Sequence, residues 1–289
     1  MFDRHVVVDW SANSTPKLGR DSIWIGVHDR DGQVTTANLA TRRSAEAFLV
    51  ELLEAEPTAS TVVGVDFSLG YPTGTAAALG LHGTPWSAMW TLLSEQVTDD
   101  ERNANNRFAV AARLNERLTG SAGPFWGCPP SAAGRHLTTT KPRSRSRFDE
   151  YRAVEAVLRD GGHRPFSSWQ LLGAGAVGSQ TLVGIPVLDR VRSHFAGRLD
   201  VWPYTTGFSP PAGVRGSIVV AEVWPSMLDT GHAVDTASVR DAVQVDATAR
   251  WLAAADATGE LGAMFSPAVS AEVAAGAIAE EGWVLGVSC

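Results

Sequence analysis

Two aspartates come directly after short apolar runs that are typical of buried strands. Asp9 follows Val6-Val7-Val8, and Asp66 follows Val62-Val63-Gly64-Val65. Carboxylates at the ends of neighbouring strands repel each other unless a cation lies between them. Mg²⁺ and Mn²⁺ prefer such oxygen ligands, and bound ions of this kind activate water for phosphodiester cleavage. The pattern therefore predicts a divalent-cation site with Asp9 and Asp66 as ligands.

Further acids come from the last third of the chain. Glu222 lies in an apolar run, and Asp241 and Asp246 lie in a strongly helical segment. Five residues span about 500° of helix rotation, so these two aspartates do not share a face. Asp246 lies beside the apolar face, which favours it as the third ligand. The predicted catalytic set is Asp9, Asp66, Glu222 and Asp246, with Mg²⁺ or Mn²⁺ bound by Asp9, Asp66 and Asp246. The alternative is that these acids only cap loops.

Apolar periodicity predicts the elements that position the two aspartates. The predicted elements, in chain order, are strands at 5–10, 22–27 and 33–39, a helix at 44–56 and a strand at 61–66. Asp31-Gly32 predicts a hairpin, and Ser44 is the predicted helix N-cap. Because helix crossovers are almost always right-handed, the fourth strand should return parallel beside the first. This β-β-β-α-β order brings Asp9 and Asp66 to one sheet edge.

The middle of the chain is less regular than the core around it. We interpret 73–215 as a large, mostly helical and loop insertion that covers the site edge, within a single domain spanning 1–289. Helices are predicted at 104–118 and 148–160. A fifth strand at 217–223, a helix at 238–256 and a helix after Ser270 complete the prediction.

One segment concentrates positive charge. Its cations, together with two arginines of the helix at 104–118, are candidates for binding substrate phosphates. These candidates are Lys141, Arg143, Arg145, Arg147, Arg107 and Arg113. The alternative for the basic run is a solvated loop. Trp86, Trp90 and Trp126 are candidates either for the core, which we favour, or for a groove on which bases stack.

Composition restricts the classes of partner. The 289 residues carry a formal net charge of −7, which argues against broad, nonspecific binding of duplex nucleic acid. Only two cysteines occur, which favours a reducing compartment. Nothing approaches the ~20 apolar residues of a membrane-spanning helix. We therefore expect a cytoplasmic protein without a membrane partner, whose substrate is nucleic acid or a phosphate-bearing small molecule.

Short segments along nearly the whole chain resemble one known family. They are Val-Val-Val-Asp9-Trp-Ser, Val-Gly-Val-Asp66-Phe-Ser-Leu-Gly-Tyr-Pro72, Asn106-Arg107 to Arg113, Pro124 to Pro129, Ser168 to Gln170, Ala221 to Pro225, Arg240 to Ala247 and Glu281 to Trp283. These segments are similar to a domain-of-unknown-function family of predicted nucleases with a ribonuclease-H-like fold. The resemblance implies a ribonuclease-H-like mixed sheet flanked by helices and a metal-dependent nuclease. Phe67 and Trp10-Ser11 depart from the family pattern.

Three functions are compatible with these residues. The first is a divalent-metal-dependent nuclease or phosphodiesterase. The second is a catalytically inactive ribonuclease-H-like binding or accessory protein, which the acidic net charge favours. The third is a hydrolase or transferase that acts on a small molecule at the same sheet edge.

Overall fold

The computed structural model describes residues 1–143, 146–173, 176–227 and 239–288. The strands in this part of the chain are β1 (Arg4–Asp9), β2 (Ile23–Asp29), β3 (Val34–Leu39), β4 (Thr61–Val65), β5 (Leu199–Val201) and β6 (Ile218–Glu222). They form one mixed sheet in the spatial order β3-β2-β1-β4-β6-β5. Helices flank this sheet, so the predicted α/β class with a mixed sheet is confirmed.

The helices in the described residues are α1 (Arg42–Ala55), α2 (Thr75–Ala78), α3 (Pro85–Gln96), α4 (Arg107–Thr119), α5 (Ala153–Asp160), α6 (Val177–His194), α7 (Arg240–Thr258), α8 (Glu260–Met264) and α9 (Ala271–Gly276). A π-helical turn at Ala277–Glu281 follows α9. None of the described helices is long and apolar enough to cross a membrane.

Strand directions follow the connections between strands. β1 pairs antiparallel with β2, and β2 pairs antiparallel with β3. Gly32 has a φ of 76°, which suits the tight turn of the second hairpin. The crossover through α1 returns the chain so that β4 lies parallel to β1, and β6 lies parallel to β4. The carboxyl ends of β1, β4 and β6 therefore meet at the same edge.

Alternating strand residues bury both faces of the sheet. Val6 and Val8 of β1 pack in one cluster with α1, α3, α4 and α6. Val7 packs in a second cluster that contains Val245 and Leu252 of α7. Side chains alternate along a strand, so Asp9 belongs to the same face as Val7. This is the face that α7 covers.

A glycine sets the distance between α7 and the sheet. A Cβ atom on Gly26 of β2 would lie 2.7 Å from the carbonyl oxygen of Val245. Only a residue without a side chain allows this approach. The contact fixes the height of α7 above β1 and β2, and with it the position of the helix start relative to Asp9.

Several element predictions were wrong in detail. Thr41, not Ser44, is the N-cap of α1; Ser44 is the reciprocal partner of the capping box. The helix predicted from residue 148 begins only at Ala153. The predicted start at Ser238 lies outside the described residues, and α7 begins at Arg240.

The segment 73–215 also contains elements that the sequence did not predict. It contributes β5 to the sheet edge beside β6. It also contributes α6, in which a Cβ on Gly184 would lie 2.5 Å from the ring of Phe67. This helix therefore packs directly against the loop that follows Asp66.

Candidate functional site

The structure brings Asp9 and Asp66 together at neighbouring strand ends. Val8 of β1 lies opposite Val65 of β4, so the two aspartates follow at equivalent positions. The Asp66 backbone N–H donates to the Val8 carbonyl at 3.2 Å. In turn, the Trp10 N–H donates to Asp66 Oδ1 at 2.8 Å. Backbone hydrogen bonds thus hold one carboxylate against the other strand.

The surroundings of Asp9 and Asp66 disfavour ionisation of both carboxyl groups at once. Burial, followed by repulsion from Asp66 and Asp241, raises the pKa of Asp9 to about 10. Burial is also the main cause that raises the pKa of Asp66 to about 7. Neither carboxylate forms an ion pair with any residue that the structure describes. At neutral pH the pair therefore retains a proton or requires a cation.

Asp241, not Asp246, is the helical acid whose charge acts on this pair. Repulsion from Asp241 raises the pKa of both Asp9 and Asp66. Its Oδ2 accepts a hydrogen bond from the Asp21 N–H at 2.7 Å. Asp246 instead accepts a hydrogen bond at 3.0 Å from the Nε of Arg250, which lies four residues after Asp246 in α7. The apolar face of the helix favoured Asp246, whereas the helix start is what approaches the strand ends.

Glu222 is engaged by a buried arginine. Arg152 is fully buried, and it donates to Glu222 through Nη2 at 2.6 Å and Nη1 at 2.8 Å. The same guanidinium is also paired with Glu155. The Leu69 N–H donates to Glu222 as well, at 3.2 Å. With these partners in place, Glu222 serves as an ion-pair residue at the strand end and is not an open cation ligand.

A cleft opens beside these acids. We call it the acidic cleft. Its volume is about 240 Å³, and the carboxylates that line it in the described part of the chain are those of Asp9, Asp66, Glu155 and Glu222. Gln180 and Gln244 add amide groups to the wall. Gln180 Nε2 donates to the Trp10 carbonyl at 2.5 Å, which ties α6 to the end of β1. The described residues contain no group of three or more His, Cys, Asp or Glu arranged to hold a metal.

The predicted phosphate-binding residues do not line the acidic cleft. Arg107 is buried and donates to Ser179 Oγ at 3.0 Å and Ser14 Oγ at 2.9 Å. Burial lowers the pKa of Arg107 to about 10. Arg113 lies on the exposed face of α4 and donates to Gln96 Oε1 at 3.2 Å. Arg107 therefore bonds to other parts of the fold, and Arg113 lies on a surface outside the acidic cleft.

The basic segment lines a different recess, of about 940 Å³, which we call the outer recess. Lys141, Arg143 and Arg147 contribute to its wall together with Trp126 and Phe148. Arg145 lies outside the described residues. Lys141 pairs with Glu150 at 2.5 Å, and the guanidinium of Arg147 lies 4.9 Å from the centre of the Phe148 ring.

The three tryptophans divide between the two interpretations. Trp90 is buried in the core, and Trp86 stacks on Tyr204 with 4.8 Å between ring centres. Trp126 is half-buried and lines the outer recess. The core prediction therefore describes Trp86 and Trp90, whereas Trp126 is open to a ligand.

No family model, curated protein or solved structure matches this chain. The chemistry of the site therefore has to be inferred from its own geometry.

Sequence reasoning missed the residues that close the site. No motif marks Arg152 and Glu155 as partners, although an arginine three residues before a glutamate at a helix start permits such a pair. Gln180 and Gln244 carry no motif at all. Their presence in the cleft depends on how α6 and α7 pack on the sheet, which spacing along the chain does not reveal.

Proposed function

We propose that this protein is a divalent-cation-dependent hydrolase of phosphodiesters, with a ribonuclease-H-like arrangement of its core. The observation that carries the proposal is the pair Asp9 and Asp66, which lies at adjacent parallel strand ends and has no cationic partner among the described residues. Such a pair is suited to a hard divalent cation.

The donor set fits Mg²⁺ or Mn²⁺ better than a cation that needs an all-protein cage. Mg²⁺ commonly retains several waters and binds through one or two carboxylates plus substrate phosphates. Asp9 and Asp66 supply two such carboxylates, and Asp241 adds negative charge nearby. Glu222 does not belong to this set because Arg152 neutralises it.

Each part of the site has a separate role in the proposed reaction. A divalent cation supplies activation of water and neutralisation of charge on the phosphate. Asp9 and Asp66 hold that cation, and the Trp10 N–H fixes the orientation of Asp66. The Gln180 contact with the Trp10 carbonyl keeps the end of β1 in place.

The sheet order supports the ribonuclease-H-like part of the proposal. Three antiparallel strands, a helical crossover and a parallel fourth strand next to β1 follow the order that apolar periodicity predicts. A mixed sheet flanked by helices is also what the sequence resemblance implies. An acid at the end of β1 and another at the end of β4 agree with it. Fold alone does not establish chemistry, so the activity needs its own test.

Cleavage assays with matched aspartate variants test the proposal. Hydrolysis of bis(p-nitrophenyl) phosphate and of single-stranded, duplex and branched DNA and RNA should require Mg²⁺ or Mn²⁺. Asp9→Asn and Asp66→Asn should each lower the rate at least about a hundredfold, because cation-dependent stabilisation of the transition state is lost. Asp241→Asn should lower it by about tenfold.

Asp246→Asn is the matched control, since it removes the same charge from the same helix. Its rate should stay within about twofold of wild type, because an exposed pair with Arg250 contributes little. Wild-type protein that cleaves none of these substrates with either metal would contradict the proposal.

The Arg152 contacts favour a second candidate, a catalytically inactive binding protein of the same fold. A guanidinium on Glu222 removes one of the acids that a larger cation site would use. In this case the wild type is inactive on diesters, whereas ligand binding near the acidic cleft persists. A hydrolase of small phosphate esters is the third possibility, and p-nitrophenyl phosphate distinguishes it from a diesterase.

A further inference from the structure

The acidic cleft is one end of a longer surface groove. It shares Pro165 and Phe166 with a second recess of about 760 Å³, which we call the middle recess. The middle recess in turn shares Trp126, Lys141 and Glu150 with the outer recess. The three spaces therefore adjoin in sequence, from Asp9 and Asp66 at one end to the basic segment at the other.

The charge of the middle and outer recesses is opposite to that of the whole protein. Among the described residues, five basic side chains line the middle and outer recesses, against the two acids Asp149 and Glu150. The basic residues are Lys141, Arg143, Arg147, Arg159 and Arg164. The chain as a whole has a formal net charge of −7. A concentration of cations in one groove of an acidic protein favours a polyanionic ligand.

Two of these arginines are open to a ligand. Arg143 and Arg164 are exposed, and neither pairs with a carboxylate of a described residue. Arg159 lies 4.4 Å from the centre of the Tyr151 ring, which holds its guanidinium at the wall of the middle recess. The groove thus offers charges that its own fold does not neutralise.

An aromatic ring lies at each junction of these spaces. Trp126 is common to the outer and middle recesses, and Phe166 is common to the middle recess and the acidic cleft. Phe166 is 45% exposed, unusual for a large apolar side chain of this protein. Exposed rings alternating with cations are the surface that unpaired bases and their phosphates require.

We propose that the groove binds single-stranded nucleic acid and leads its backbone to the acidic cleft. This inference rests on the proposed function for the cleavage step, but not for binding. Bases stack on Phe166 and Trp126, while Arg143, Arg159 and Arg164 contact phosphates. Duplex nucleic acid is excluded as the preferred ligand because paired bases cannot offer their faces to the rings.

Fluorescence anisotropy with a labelled oligothymidylate in EDTA tests binding without cleavage. Arg143→Ala/Arg164→Ala should weaken binding of the single strand at least about fivefold and should reduce the slope of log Kd against log salt by about 1.4, since two phosphate contacts are lost. Arg43→Ala/Arg102→Ala, which removes two exposed arginines that line none of the three recesses, should change neither quantity.

Phe166→Ala tests the stacking contact. This substitution should weaken binding of the oligothymidylate about fivefold or more, because one base–aromatic contact is lost. Leu172→Ala is the matched control, since Leu172 is also 45% exposed and lines none of the three recesses. Thermal unfolding of all four variants verifies that they are folded.

The outcomes distinguish failure of the groove proposal from failure of the proposed hydrolase activity. Cleavage of bis(p-nitrophenyl) phosphate together with no binding of the oligothymidylate would overturn the groove proposal and leave the hydrolase standing. Binding that only the groove variants weaken, with no cleavage of any substrate, supports the groove and contradicts the hydrolase. A duplex or a polyglutamate peptide that binds as tightly as the single strand would also overturn the assignment.

Discussion

The carboxyl groups of Asp9 and Asp66 share one hydrogen bond when the pair holds a proton. Burial is the main cause that raises the pKa of both carboxyl groups, so the pair as a whole retains a proton above the pH at which free carboxyl groups ionise. In the unfolded chain both acids would ionise near pH 4. Folding therefore opposes ionisation of this pair.

We expect the free energy of unfolding of the metal-free protein to depend on pH because of this pair. Because both folded-state pKa values lie above the unfolded value, the contribution of the pair is fully present below about pH 4 and is lost as pH rises. The loss runs through the folded pKa values of about 7 and about 10. Between pH 5 and pH 8 in EDTA, the free energy of unfolding of the wild type should fall by several kcal/mol, up to about 7 kcal/mol, relative to Asp9→Asn/Asp66→Asn.

The comparison with the double variant matters because His5 acts in the opposite direction. Burial lowers the pKa of His5, so its contribution to stability grows as pH rises through its unfolded pKa of about 6.5. Urea unfolding at each pH measures the difference. Mg²⁺ or Mn²⁺ should stabilise the wild type more at pH 8 than at pH 5, and equal stabilisation at both would contradict cation binding by this pair.

At the scale of elements, α7 places the third acid. The helix rests on β2 through Gly26, and the contact with the Val245 carbonyl leaves no space for a methyl group. Asp241, at the start of the same helix, acts electrostatically on Asp9 and Asp66. The spacing of helix and sheet therefore controls the charge around the pair.

Gly26→Ala should move α7 and affect both stability and rate. The added methyl group meets backbone atoms that cannot rotate away, so we expect a loss of about 1–3 kcal/mol in the free energy of unfolding. Gly134→Ala is the control, since nothing lies within 4 Å of its added Cβ, and it should stay within about 0.5 kcal/mol. Unchanged urea unfolding of Gly26→Ala would show that the helix does not rest on this glycine.

Strand and helix patterns reveal more of this sheet than of its site. The runs before Asp9 and Asp66 alternate poorly but are continuously apolar, and this marks strands buried on both faces. β5 was missed because its three residues, with exposed Asp200 between two buried neighbours, are too few to show a period. The prediction favoured Asp246 over Asp241 because Asp246 lies beside the apolar face of the helix. Packing at Gly26 instead brings the start of α7 close to Asp9, and residue spacing along the chain does not reveal that packing.

At the scale of the whole molecule, Arg152 joins distant parts of the chain. Its guanidinium bonds to Glu155 of α5, to Glu222 of β6 and to the carbonyl of Glu281 near the C-terminal end. The Ala153 N–H also donates to Glu281 Oε2 at 2.7 Å. One buried cation thus connects the 73–215 segment, the sheet and the C-terminal turn.

Removal of this cation should be costly. Arg152→Met leaves two buried carboxylates without their partner, so we expect a loss of about 3–5 kcal/mol in the free energy of unfolding. Arg190→Met removes an equally well-formed pair with Glu46 whose arginine is 41% exposed, and it should cost less than about 1 kcal/mol.

Adding Glu222→Gln to Arg152→Met should recover part of the loss, because one unpaired charge disappears with the substitution. Urea unfolding monitored by tryptophan fluorescence measures all three variants. Equal losses for Arg152→Met and Arg190→Met would contradict a central role for this cluster.

The walls of the acidic cleft are distributed along most of the chain, from Asp9 to Gln244 and Val284. During synthesis on a ribosome, both aspartates emerge while α7 and the C-terminal turn are still unmade. β1 and β4 can pair at that stage, but Gln244, Val284 and the helix that covers this face of the sheet are still missing. A product of premature termination before α7 therefore carries both acids on a sheet face that α7 does not cover.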